Sequence, residues 1–554
     1  MMRAPSGRRQ RARGLRRWSG RPAKRALFGV AIACAIALRA VQAAAVDAPI
    51  PAAEPPAGAR PSDIDQLAAR VQQTFAVPGL AIAIVKDGRT VFAKGYGVRA
   101  VGEAGKIDDN TLFEIGSNTK AFTTAALAML VDEGKLGWDD KVIDRLPGFR
   151  LYDPYVTREF TVRDLLTHRS GLGLGAGDLM FVPHTNFTRA EIIHNLRYLK
   201  PVSSFRSTYA YDNLLYMVAG EIVPAITGQS WEDFVQTRVL DPLATGCAAD
   251  LAHASGNPNI AAPHVLIMGA PVEIAPETNT ALDPAGGIEC GVRGMAAWML
   301  LQLDGGRAVG GARLFSQDRH QEMWSPQTVI PSLPPTAAMT ATHLRDYGLG
   351  WSLEDYEGVE RVWHTGGLVG MVSYVSLIPE RRLGIVVLAN QQSGGAISAV
   401  MQDLLDAFLG VPPRDWIAYW STREKDAAAK DDAAQSGAEA RIKEAGGRAN
   451  LPLGAYVGVY RDPWRGEATV SRAGEGLRLT FSRTAGMQGD LRPYSGDVFV
   501  VRWDDRTLKA DALVRFRTDF TGAVDGMTMK ALSPTTDFSF DFQDLDFTRE
   551  AGAP

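Results

Sequence analysis

Apolar residues change their period several times along the 554-residue chain, and each change marks an element. Ile64, Leu67, Val71 and Phe75 recur at helical spacing behind Ser62, which predicts a serine-capped helix. A short apolar run over 80–85, the turn pair Asp87-Gly88 and a second run through Val91 and Phe92 predict a hairpin. Phe122, Ala125, Ala126, Met129 and Leu130 restore the 3.6-residue period until Gly134 stops it, and 214–222 reads as another helix. Two strand-like runs follow at 372–378 and 383–388. Their likeness to the first hairpin predicts that the two ends of this region share one antiparallel sheet flanked by helices.

After Leu409 the pattern changes. Residues 424–445 are mostly Ala, Lys, Asp and Glu, which reads as a solvated helix or tether. Beyond residue 451 the period drops to two: Leu477, Leu479 and Phe481, then 498–501, Val514 and Phe516, and finally Phe538, Phe540 and Phe542. About 100 residues of this kind predict an all-β sandwich or barrel. The expected organisation is a signal peptide over 1–45, a Pro- and Ala-rich linker over 46–61, a mixed α/β (α+β) unit over 62–410, a charged helical linker over 411–450, and the β unit over 451–550.

Charge locates the first segment. Arg3, Arg8, Arg9, Arg11, Arg13, Arg16, Arg17, Arg21, Lys24 and Arg25 precede a short apolar run over 26–38 and the small residues Ala43, Ala44 and Ala45. This is the layout of a secretory leader, and the run is shorter than the roughly 20 residues a membrane-spanning helix needs. The expected location is therefore periplasmic or secreted, with no membrane span. Removing the leader takes away eleven basic residues, counting Arg39, and turns a formal charge of −3 into −14. So acidic a protein lacks the electrostatic footprint for nucleic acid or an anionic membrane. Cys247 and Cys290 remain; the sequence leaves open whether they pair or stay as buried thiols.

Three local patterns carry the chemistry: Ser117-x-x-Lys120, Tyr211-Asp212-Asn213 and His364-Thr365-Gly366-Gly367. Ser117 stands where a helix should begin, and the unpaired N–H groups there favour an alkoxide-like attacking oxygen. Lys120, three residues on, projects beside the hydroxyl. To act as a free base near pH 7 it must lose about 3 pKa units, a shift that burial and a proton-sharing neighbour can supply. Tyr211 is that neighbour, and the pair leaves open which of the two is the base. Asn213 is positioned to hold Lys120 and a substrate amide, Gly366 lets a substrate backbone come close, and the N–H groups of Ser117 and Gly367 would form an oxyanion hole. The seven histidines outside the third pattern show no ligand spacing, no Gly-x-Ser-x-Gly elbow occurs, and no phosphate loop is present. No metal and no cofactor is expected; the partner is a small-molecule or peptide substrate.

The ordered triple resembles the penicillin-recognising serine hydrolases, and within them the class C β-lactamase-like, peptidase S12-type group. Supporting stretches are VPGLAIAIVKDGRTVFAKGYG from Val77, LLTHRSGL from Leu165, AGGI from Ala285 and YGLGW from Tyr347. The resemblance covers about residues 62–410, and residues after 451 resemble the lipocalin-like barrel of some members. It implies a serine β-lactamase/DD-peptidase-like fold and an acyl-enzyme on Ser117. His364 departs from the lysine usual there, which implies peptidase, D-amino-acid amidase or esterase activity ahead of β-lactam hydrolysis. Phe205-Arg206 replaces a usual Pro-Gly, and Gly294 stands where aspartate is common. The alternatives are a weak β-lactamase and a catalytically idle envelope protein that binds peptidoglycan fragments or a protein partner. The β unit is expected to govern substrate choice more than the reactivity of Ser117.

Overall fold

The computed structural model describes residues 61–551. The leader expected over 1–45, and all of the expected linker except Pro61, lie outside the described residues. Six longer helices frame the fold: α1 (Pro61–Phe75), α2 (Thr119–Asp132), α3 (Leu214–Thr227), α4 (Val292–Leu303), α5 (Gly394–Leu409) and α6 (Trp416–Ala445). The strands in the first part of the chain are β1 (Gly79–Lys86), β2 (Arg89–Gly97), β3 (Phe113–Glu114), β4 (His264–Ile267), β5 (Ala270–Glu273), β6 (Glu289–Cys290), β7 (Thr328–Val329), β8 (Arg345–Tyr347), β9 (Ser352–Tyr356), β10 (Val359–Leu368), β11 (Met371–Ile378) and β12 (Leu383–Ala389).

Eight of these strands form one antiparallel sheet in the order β2-β1-β12-β11-β10-β9-β8-β7. The predicted meeting of the two ends is the β1–β12 pairing, with Leu80 opposite Ala389 and Ile84 opposite Ile385. Leu80, Ile82 and Ile84 pack toward α1, α5 and Trp416, whereas Ala81, Ala83 and Val85 join the core that holds α2 and α4. Burial of both faces is why these strands read as continuous apolar runs rather than as alternation.

The β unit is a closed eight-stranded barrel of β13 (Gly458–Asp462), β14 (Gly466–Ala473), β15 (Gly476–Phe481), β16 (Gln488–Ser495), β17 (Val498–Trp503), β18 (Ala512–Thr518), β19 (Val524–Ala531) and β20 (Asp546–Arg549). Tyr456, Phe499 and Phe516 stack inside it with ring centroids 4.9–5.4 Å apart. The alternation at Phe538, Phe540 and Phe542 is not a strand. Residues 532–545 form an irregular connection between β19 and β20, in which Phe540 and Phe542 are buried while Phe538 remains 41% exposed. Helix α6 bridges the two cores: Trp416 and Ile417 pack with the sheet, Ala438 and Ile442 with Val500 of the barrel. The barrel also docks directly, where Arg483 binds Asn186 and Glu191 and lies 3.9 Å over the Phe187 ring.

Cys247 and Cys290 form a disulfide with Cα atoms 4.4 Å apart. A Cβ on Gly294 would stand 2.3 Å from Cys247 Sγ and 2.9 Å from Cys290 Sγ, so the disulfide explains why glycine occupies this position.

Strand β10 crosses the turn that holds Ser117 at very short range. A Cβ on Gly366 would lie 1.8 Å from the carbonyl oxygen of Ile115, whereas one on Gly367 would meet nothing within 4 Å. The glycine at 366 thus admits the protein's own backbone. Gly366→Ala should cost about 1–3 kcal/mol through overpacking, and Gly367→Ala less than about 0.5 kcal/mol. Urea unfolding of both variants checks this; equal losses would contradict the crossing geometry.

Candidate active site

Ser117 lies in a single 3-10 turn, Gly116–Asn118, immediately before α2. Gly116 has φ +52°, and a Cβ there would stand 2.8 Å from the Gly367 nitrogen, so conformation and crowding both demand glycine. The turn is pinned to β11: Ser373 Oγ donates to the Ile115 carbonyl at 2.6 Å and accepts from Asn118 Nδ2 at 2.7 Å. Such fixation brings the Ser117 hydroxyl and the backbone of β10 to one place.

Lys120, in the first turn of α2, is fully buried. Its Nζ lies 2.9 Å from Ser117 Oγ, 2.8 Å from Asn213 Oδ1 and 3.0 Å from the Ala285 carbonyl. Burial lowers its pKa to about 7, against the opposing pull of Asp178 and Asp212. The two carbonyl oxygens take two N–H bonds, which leaves the third direction, lone pair or N–H, on Ser117.

Tyr211 sits in the loop before α3, with its ring 4.8 Å from Lys120 Nζ. Burial pushes its phenol well above the ordinary value, and a hydrogen bond to Ser117 only partly offsets this. Of the two candidates for the base, the amine is the one whose proton-free form is accessible near neutrality. Tyr211 keeps its proton.

Asn213 caps α3 and faces Lys120 with its carbonyl, an orientation required because an ammonium can only donate. Its Nδ2 donates to Asp178 Oδ2 at 2.9 Å, so part of the amide predicted to hold substrate is committed to the protein.

His364, on β10, is buried and neutral. Its Nδ1 donates to the Thr365 carbonyl at 2.6 Å, so its Nε2 accepts from the Tyr347 hydroxyl at 2.9 Å. Burial and the nearby Lys120 bring its pKa down to about 3. His364 therefore places no cation at this point of the cleft. Arg345 reaches the cleft but is already engaged by Glu354 at 3.4 Å and the Ser332 carbonyl at 2.9 Å.

Several residues of the site fall outside the three patterns. His168, at φ +52°, accepts the Asp212 N–H at 3.1 Å and lies 4.3 Å from the Tyr211 ring, so it holds the second pattern in place. Its signal was the stretch LLTHRSGL; Tyr347 belongs to YGLGW in the same way. Phe538, Ser539 and Asp541 carry no local signature, because they meet the site only through the docking of the barrel; Asp178 meets Asn213 within the first unit but lies outside all three patterns. Ser117, Tyr211, Asn213 and residues 364–367 all open onto one cleft of about 990 Å³, with Phe538 on its wall.

Comparison with known proteins agrees with this geometry. The family model described as Beta-lactamase matches residues 64–408, and one described as Domain of unknown function (DUF3471) matches residues 443–549. The unguisins hydrolase ungD' of Aspergillus campestris is 29% identical over 462 residues, which span 79% of this chain and 84% of that protein. Penicillin-binding protein 4 of Amycolatopsis lactamdurans is 29% identical over 339 residues, 60% of this chain and 85% of that one. The octameric penicillin-binding protein homologue from Pyrococcus abyssi superposes with a TM-score of 0.57 at 21% identity, covering 88% of this chain and 99% of that structure, a likeness of fold. With a matched region that takes in all three patterns and the whole eight-stranded antiparallel sheet, the chain belongs to the β-lactamase family.

Proposed function

We propose that the protein is an exported serine hydrolase that opens amide or ester bonds through an acyl-enzyme on Ser117. The observation that carries this reading is the buried Lys120 amine, 2.9 Å from Ser117 Oγ and with its pKa brought down to about 7. As the free amine, Lys120 takes the Ser117 proton while Oγ bonds to the substrate carbonyl carbon. The carbonyl oxygen becomes an oxyanion facing the N–H groups of Ser117 and Gly367. Collapse of this adduct breaks the bond to the leaving group, which takes a proton through the Tyr211 phenol, replenished from Lys120. Water then attacks the acyl-enzyme with the same groups in reverse order, and Ser117 recovers its proton.

A neutral His364, with Thr365 and Gly366 beside it, favours substrates that need no anchored carboxylate next to the scissile bond. Esters, D-amino-acid amides and peptides fit this better than penicillins, for which weak turnover is expected. The name of one relative, a hydrolase of unguisins, supports bond hydrolysis. Export is supported by the basic leader and by the disulfide, which suits an oxidising compartment.

Purified protein should gain one fluorophosphonate adduct at Ser117 by intact-mass spectrometry, and Ser117→Ala should gain none. Turnover of p-nitrophenyl esters should fall by at least roughly 10⁴-fold in that variant. An adduct on the alanine variant would overturn the assignment. The labelling rate should also rise with pH, with a midpoint near 7, because the amine form of Lys120 is the reactive one and dominates above its pKa; Asp212, raised to about 7 by burial, shares this titration. His364, near 3, contributes nothing in this range. A rate flat between pH 5.5 and 8.5 would count against Lys120 as the base.

A further inference from the structure

One set of side chains at the site comes from the other end of the chain. The connection at 532–545 leaves the barrel and runs along residues 175–179. There Asp541 accepts the backbone N–H groups of Gly177 at 2.6 Å and Leu179 at 3.0 Å. Ser539 Oγ donates to Asp178 Oδ2 at 2.9 Å. The same oxygen accepts from Asn213 Nδ2 at 2.9 Å, and Asn213 Oδ1 accepts from Lys120 Nζ at 2.8 Å. Asp178, Asn213, Ser539 and Asp541 are all buried. The approach is close: a Cβ on Gly175, at φ +68°, would lie 2.7 Å from the Phe538 ring.

These contacts form an unbroken line from the barrel to the reacting hydroxyl. An asparagine amide held at one end can swing about its last torsion; bonds at both ends fix its plane. The orientation of Asn213 decides where the N–H bonds of Lys120 point, and therefore whether its lone pair faces Ser117. Asp178 fixes the far end of that amide, but its Oδ1 has no polar partner among the described residues, so the carboxyl is itself oriented only through Oδ2. Ser539 supplies the barrel's bond to that oxygen. Burial pushes the carboxyls of Asp178 and Asp541 well above the usual carboxylate range, so their bonds to Asn213, Ser539 and the 177–179 backbone stand where water does not compete.

We propose that residues 538–541 of the barrel are a positioning element of the active site, in which Ser539 and Asp541 act through Asp178 to set Asn213 and so aim the Lys120 amine at Ser117. The proposal rests on the acyl-enzyme reading above. It reverses the sequence-based expectation that the barrel governs substrate choice more than reactivity.

The test is the second-order rate of fluorophosphonate labelling in the full chain, for wild type, Ser539→Ala, Ser539→Thr, Asn213→Ala and the Ser539→Ala/Asn213→Ala pair. Loss of the hydroxyl should slow labelling about 10-fold, as one buried hydrogen bond permits. Threonine, which keeps it, should stay within about threefold of wild type. In the Asn213→Ala background the same serine change should matter less than about twofold, since its route to Lys120 is already cut. An indifferent Ser539→Ala, a threonine variant as slow as alanine, or an equal loss in both backgrounds would overturn the positioning role. Should Ser539→Ala not fold, Ser539→Cys, a weak donor of similar size, takes its place with the same expected slowing. Wild type that fails to label at Ser117 would overturn the acyl-enzyme reading as well, whereas labelled wild type with an indifferent Ser539 variant removes the positioning role alone.

Discussion

The structure depends on a lysine kept out of water. Lys120 has no exposure, and its Nζ is surrounded by one hydroxyl, one amide oxygen and one backbone carbonyl. A buried ammonium is costly unless each N–H finds an acceptor, and a buried amine is the cheaper form once the pKa falls toward neutrality. The fold supplies acceptors in the number that suits either form. The side chain can therefore change protonation without rearrangement, as the proposed proton transfer to and from Ser117 requires.

Other features of the molecule are arranged around that condition. The tight crossing of β10 over the Ser117 turn needs glycine at 366 for lack of room, and at 116 for lack of room and for its left-handed backbone together. His168 holds the loop of Tyr211 and Asp212 from below, and Ser373 ties the nucleophile turn to β11. A histidine at 364, bonded on both nitrogens, closes the far wall as a neutral group. Burial pushes the Tyr211 phenol well above its ordinary value, which is why the proposed mechanism gives the part of base to the amine.

Much of the fold was legible because burial leaves a periodic mark. The β1 and β12 runs, the α2 stripe and the barrel strands at 476–481 and 498–503 all match the elements observed. The three site patterns were legible too, since each keeps its reacting groups within a few residues. The misreading at Phe538, Phe540 and Phe542 has a clear cause: alternating aromatics are the mark of a strand, but here Phe538 is exposed and the consecutive side chains of Ser539, Phe540, Asp541 and Phe542 are all buried, because the connection is pressed between two units. Asp178 is 361 residues from Ser539 and meets it and the neighbouring Asp541 only when the barrel docks, so no local pattern could contain all three. The pairing of Cys247 with Cys290 was equally invisible, because it depends on β6 lying beside the segment at 247–249.

The central claim, that Lys120 is a neutral amine for much of its time at physiological pH, is open to direct observation. Lysine labelled with ¹³C at Cε can be titrated by NMR in wild type, with Lys120→Arg used to assign the signal. A midpoint near 7 is the predicted result, far below the other lysines. A Lys120 signal that stays in the ammonium position until above pH 9 would contradict the account.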